Sequence, residues 1–269
     1  MKLVAFCAAC IVCCASGVQA ADLLSGTWTA GNGPDARVYV FKVSGDRITG
    51  IVCGPCDDPA SVFRIEDGRI VDADHAVFYI RYDVGGPEFR RYGPYRERVD
   101  ATIARDALKL SARPEANAGA AVTSASLNRV VEHFELSPVP LPPAPASSQR
   151  VPSMSSSIEG RWVSVGRTAQ QNWILKVRDN RVWGLVCGPC TPAVVAMIDE
   201  GWIDGDTITF YINHIDTPPD ASRQGIQRNV MTGKISGSPN ANVMRFTWVR
   251  EQSPAQTGEI VMLGPIKAP

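Results

Sequence analysis

The chain is one unit written twice, and each copy carries the tetrapeptide Cys-Gly-Pro-Cys, at Cys53–Cys56 and again at Cys187–Cys190. Gly26-Thr27-Trp28 aligns with Gly160-Arg161-Trp162 at an offset of 134 residues. The same offset carries Arg37–Val43 (RVYVFKV) onto Gln171–Val177 (QNWILKV), and Ile48–Cys56 (ITGIVCGPC) onto Val182–Cys190 (VWGLVCGPC). Phe78-Tyr79-Ile80 matches Phe210-Tyr211-Ile212 at 132, so two residues are lost between. The ends match too, Leu136-Ser137-Pro138-Val139 against Leu263-Gly264-Pro265-Ile266. Two long copies suit a pair of complete domains better than the many short repeats of a solenoid.

The first 20 residues read as a signal peptide. Lys2 supplies a positive start, Leu3 to Ser16 is apolar, and Val18-Gln19-Ala20 places small residues where a signal peptidase cuts. The apolar run is too short to span a bilayer, and the expectation is an exported chain, secreted or periplasmic, cleaved after Ala20. Cleavage removes Cys7, Cys10, Cys13 and Cys14 and leaves only the four CGPC cysteines. The formal net charge of 0 at pH 7 provides no electrostatic case for nucleic acid or an anionic membrane surface. The local basic clusters, Arg90-Arg91 and Arg96–Arg98, read as a solvated strand face or loop.

Pro138 to Ser157 (PVPLPPAPASSQRVPSMSSS) has five prolines in its first eight residues and then turns serine-rich. Such a stretch buries no core and reads as a spacer. The expected organisation is therefore a signal peptide at 1–20, a first domain at 22–139, a linker at 140–157 and a second domain at 158–269. Each domain is within the usual single-core size. Both read as β throughout. Val38, Val40 and Lys42 alternate with Tyr39, Phe41 and Val43, and turn signals such as Ser44-Gly45-Asp46 and Asp204-Gly205-Asp206 recur at short intervals. Seven or eight strands are expected per unit, starting in the first near Leu24, Arg37, Arg47, Val62, Ala76, Glu88, Leu108 and Val130. No segment sustains a helical period, so helices should be short or absent.

Many short antiparallel strands need a closed barrel or a sandwich to hide their edges. The fold class expected is all-β, two tandem up-and-down β-barrel-like (or sandwich) domains from an internal duplication. Gly-x-Trp on each first strand resembles the lipocalin motif, which places both units beside the calycins, lipocalin- or avidin-type barrels. That resemblance implies that Trp28 and Trp162 close one end of each barrel under an arginine from a late strand. Arg250 is the candidate in the second unit, and Arg113 or Arg129 in the first.

Each CGPC ends a strand, after Ile51-Val52 and Leu185-Val186. Gly then Pro at the centre suits a type II′ turn. The flanking cysteines of such a turn fall within disulfide range, and an exported chain meets an oxidising compartment. Intra-motif disulfides Cys53–Cys56 and Cys187–Cys190, stapling each hairpin, are the expectation. Two alternatives remain open. CGPC is also the active-site tetrapeptide of thioredoxins, which would make these cysteines a thiol–disulfide redox pair. That chemistry wants a low-pKa cysteine at a helix start, yet no Trp precedes either motif, no basic residue follows, and Pro59 and Pro192 obstruct a helix. Four thiolates could also hold one tetrahedral metal, which demands that the two domains meet face to face.

His75, His133 and His214 do not occupy equivalent repeat positions, and no nucleophile elbow, phosphate loop or metal-type histidine spacing is present. Asp57-Asp58 reads as a solvated turn. The second unit holds Trp162, Trp173, Trp183, Trp202 and Trp248, five of the six tryptophans. Trp173, Trp183 and Trp202 are candidates for an aromatic ligand site at a barrel mouth. The reading is an exported, non-catalytic binding or structural protein of the bacterial envelope. Its partner is a small ligand, a glycan or another envelope protein; no cofactor, metal or nucleic acid is called for.

Overall fold

A computed structural model describes residues 20–33, 36–82, 94–104, 106–116, 119–132, 158–165, 170–188, 190–192, 195–214, 227–238, 241–250 and 253–266. The expected signal peptide before Ala20, the linker at 140–157 and His133 lie outside the described residues. The fold is two closed antiparallel barrels of eight strands each, with neighbours in chain order. Barrel 1 runs β1 (Gly26–Ala30), β2 (Arg37–Ser44), β3 (Arg47–Cys53), β4 (Val62–Ile70), β5 (His75–Tyr82), β6 (Tyr95–Ile103), β7 (Ala107–Pro114) and β8 (Thr123–Glu132). Barrel 2 runs β9 (Gly160–Val165), β10 (Asn172–Arg178), β11 (Arg181–Cys187), β12 (Val195–Asp204), β13 (Thr207–His214), β14 (Gln227–Ser238), β15 (Ala241–Arg250) and β16 (Ser253–Ile266). In each, the last strand pairs with the first, which closes the sheet and leaves no strand edge among the described residues.

The duplication extends to irregularities. Register shifts fall between Ile48 and Gly50 and between Glu66 and Arg69 in barrel 1. Their counterparts in barrel 2 lie between Val182 and Gly184 and between Asp199 and Trp202. Bulges of this kind bend a sheet until it closes. Gly50 and Gly184, equivalent in the repeat, mark two of the closest backbone approaches. A Cβ there would fall 2.1 Å from the Val40 carbonyl oxygen and 1.9 Å from that of Ile174.

Both barrels are packed with side chains. Tyr39, Phe41, Ile48, Ile65, Phe78 and Val99 fill the first, and Trp173, Leu175, Val182, Phe210, Phe246 and Met262 the second. The ring pairs Phe41–Phe78, at 5.2 Å and edge-on, and Phe210–Phe246, at 5.1 Å, repeat the same contact in each. Each barrel core includes a fully buried tryptophan from its first strand, Trp28 and Trp162. The Trp28 indole N–H donates to the Leu24 carbonyl at 2.9 Å, and that of Trp162 to the Ile158 carbonyl at 2.8 Å. Leu24 ends a one-turn helix, α1 (Ala20–Leu24), which is why the first strand begins at Gly26 rather than near Leu24. The Arg129 guanidinium of β8 lies 4.5 Å over the Trp28 ring and donates to the Leu23 carbonyl. In barrel 2 the last strand, β16, passes close to Trp162, where a Cβ at Gly264 would fall 3.1 Å from the ring; Arg250 stands on the next strand, β15.

Candidate functional site

Antiparallel barrels usually bury one face of each strand and wet the other. Part of each wall here is apolar on both faces. Val38 and Val40 of β2, Ile51 and Cys53 of β3, Cys56, and Val62 of β4 point away from the interior of barrel 1. They form one buried cluster with Ile174, Leu185, Cys187, Val195 and Met197 of barrel 2. Trp183 and Cys190 pack against its edge. The barrels therefore dock wall to wall, and the two CGPC turns lie in the seam.

The seam is close to two-fold symmetric. The offset of 134 carries Val40 to Ile174, Ile51 to Leu185 and Cys53 to Cys187, so the same patch of each copy faces its counterpart. Strand β12 packs on β2, and β10 packs on the turn that leads into β4. Patches that meet themselves in this way are what a two-fold dimer uses; here a single chain supplies both. Charges border the apolar patch. The Lys42 ammonium donates to the Asp199 carboxylate at 2.7 Å, and Asp199 is 5% exposed. Arg161 comes within 3.8 Å of Asp57.

Both expected disulfides are formed, Cys53–Cys56 and Cys187–Cys190, each within its own motif. Cys53, Cys56 and Cys187 are buried at 1%, 4% and 1% exposure, while Cys190 is half-buried and accepts from the Asn172 amide at 3.5 Å. The turn itself differs from expectation. Gly54 lacks the positive φ of a type II′ turn; the Gly54–Pro55 peptide is cis, and in the second copy it is Cys190 that takes a positive φ, 45°. After Cys56 the chain forms a 3-10 turn, Pro59–Ser61, rather than the helix a thioredoxin site requires. Asp58 caps that turn, accepting from the Ala60 N–H at 2.9 Å and the Ser61 hydroxyl at 3.0 Å, so the Asp57-Asp58 pair is divided between a cap and a seam contact.

The three candidate tryptophans are not brought together. Trp173 lies inside barrel 2, 1% exposed, with its ring 6.4 Å from Phe210. Trp183 edges the seam. Trp202 sits on the outer wall, 6.0 Å from Tyr211, over whose ring the Arg228 guanidinium lies at 4.6 Å. His75 is exposed at the start of β5 beside Asp72 and Asp74 of the preceding turn; it belongs to neither the seam nor a barrel interior.

The same outer wall of barrel 1 looks different. A cleft of about 770 Å³ opens there, lined by Arg47, Arg69, Tyr79, Arg96, Arg98 and Asp67 among others. The Arg96 guanidinium stacks over the Tyr79 ring at 4.2 Å, as Arg228 does over Tyr211 in barrel 2. Arg96 and Arg98, expected on a solvated strand face or loop, line this cleft instead.

No protein-family model and no curated protein matches the chain.

Proposed function

We propose that this chain is an exported, non-catalytic binding protein whose two disulfides hold the docked barrels in shape. The supporting observation is the burial of the CGPC sulfurs. Thiol–disulfide exchange requires an attacking thiolate to reach one sulfur along the S–S axis, and three of the four cysteines are under 5% exposed in an apolar seam. The packed interiors support binding on outer surfaces rather than inside a barrel. The calycin-like character belongs to the same proposal; it draws on the buried first-strand tryptophan of each barrel and on Arg129 over Trp28.

The test is native-state reduction. In folded protein, dithiothreitol should reduce Cys53–Cys56 only as fast as the seam opens, and insulin reduction should stay at the rate of free dithiol. Disulfides reduced within the mixing time in native buffer, with turnover lost on Cys53→Ser or Cys187→Ser, would replace the binding reading with the thiol–disulfide one. Export is tested separately: the mature N-terminus should be Ala21, and a chain still carrying Met1 in the cell envelope would contradict it.

A further inference from the structure

The outer wall of barrel 1 stacks arginines against arginines. Register places Arg47 directly opposite Arg69, Arg81 opposite Arg96, and Arg98 opposite Arg113. Directly opposed residues on one sheet face have Cβ atoms only ~5 Å apart, and like charges there destabilise the sheet. Acids offset part of this. Glu66 lies 3.4 Å from Arg81 and 3.7 Å from Arg96, Asp67 3.0 Å from Arg96, and Asp100 2.9 Å from Arg98. The offset is incomplete. Arg47 and Arg69 form no ion pair with another described residue. The Nε atoms of Arg96 and Arg98 are buried without an aligned acceptor, although Glu115 comes within 3.4 Å of Arg96 Nε.

The duplicate wall is the internal comparison. Register equates Arg69 with Trp202 and Arg98 with Val230. Barrel 2 thus keeps the arginine-on-tyrosine stack, covers it with an indole, and buries Arg228 to 5% exposure. Barrel 1 leaves the cleft open and lines it with four guanidinium groups, Arg47, Arg69, Arg96 and Arg98, against two carboxylates, Asp46 and Asp67, so cationic donors are in excess. Those donors match oxyanions, because an arginine fork binds phosphate or carboxylate through two parallel hydrogen bonds. The cleft volume of about 770 Å³ is that of a small-molecule site.

We propose that the cleft bordered by Arg47, Arg69, Arg96 and Arg98 binds a small polyanion carrying at least two phosphate or carboxylate groups. It names the ligand class for the binding-protein reading and rests on it. The two fail separately: disulfide turnover sinks that reading, while a cleft that ignores anions sinks this one.

Calorimetric titration of the full-length mature protein at low salt uses pyrophosphate and citrate as probes, and the tighter of the two assigns the oxyanion. Saturable binding that weakens as salt rises is expected. Arg47→Gln with Arg69→Gln should lower affinity at least about tenfold, and Arg245→Gln, exposed on β15, should leave it unchanged. Thermal melting without probe keeps the test sound. The double variant should melt at or above the parent, because it removes an opposed like-charge pair. Binding of neither probe, equal loss on Arg245→Gln, or a double variant that melts lower overturns the proposal.

Discussion

Truncating Leu185 to alanine should loosen the seam while leaving barrel 2 folded. Leu185 is on the outer face of β11 and is nevertheless 0% exposed, because barrel 1 covers it. A buried Leu→Ala change costs about 2–5 kcal/mol, the spread depending on how far the site collapses. At 1.4 kcal/mol per tenfold, that is about 30-fold at the low end and more than about 1000-fold at the high end in the association of the two barrels. The assay is a chain with a specific protease site inserted between residues 140 and 157, cut after folding. The parent halves should stay together through gel filtration at concentrations where the Leu185→Ala halves separate. Ile51→Ala, the symmetry-related position at 1% exposed, should act alike. The reasoning is refuted if the cut Leu185→Ala halves hold as tightly as the parent while the melting of barrel 2 falls, since Leu185 would then serve barrel 2 alone.

Gly184→Ala should destabilise barrel 2 by more than about 2 kcal/mol in a denaturant melt, because the new Cβ would meet the Ile174 carbonyl at 1.9 Å in a backbone with φ of 150°; a melt within error of the parent would show that the β10–β11 hairpin gives way easily. Burial, then the neighbouring Glu97, raises the Tyr82 phenol above its ordinary 10.0, and burial raises Tyr39 against the opposing pull of Arg37. A folded pKa above the unfolded one means stability is complete below about pH 10 and lost as pH climbs past it. Alkaline titration should therefore unfold barrel 1 as tyrosinate absorbance appears, and Tyr82→Phe should move the onset upward. Both phenols titrating near pH 10 in folded protein would contradict this.

Much of the fold was legible because each wall strand obeys a period of two. Strands were expected at Arg37, Arg47 and Val62, and β2, β3 and β4 begin there. β8 begins at Thr123 rather than near Val130, since Ala125 and Leu127 pack in the core and extend the alternation upstream through Ser124, Ser126 and Asn128, a stretch with little apolar signal. The seam had a readable signal that alternation alone disguises. Val38 and Val40 are apolar on one face of β2 while Tyr39 and Phe41 are apolar on the other, and the same holds for Ile174 against Trp173 and Leu175. A strand apolar on both faces needs two covers, and in an up-and-down barrel only one can come from its own interior. The arginine ladder was not legible. Which arginines oppose one another depends on the bulges at Ile48/Gly50 and Glu66/Arg69, and a shift of one residue would turn each of them to the other face.

The seam and the cleft are connected through one duplicated carboxylate. Asp199 on β12 and Glu66 on β4 pair with Tyr211 and Tyr79 in the same register, so they occupy the same position in the two copies. A fully symmetric seam would use both, each meeting the lysine of the opposite barrel as Asp199 meets Lys42 at 2.7 Å. Instead Lys176, the counterpart of Lys42, lies 3.6 Å from Glu159, and Glu66 turns to Arg81 and Arg96. One copy of the carboxylate fastens the barrels together; the other steadies opposed arginines that would otherwise repel. Barrel 2 has Trp202 in place of Arg69, set against Tyr211, so among the described residues Arg181 faces an indole rather than a second arginine. The asymmetry thus assigns docking to Asp199 and organisation of the guanidinium cleft to Glu66, which is a division of labour that two identical copies could not support.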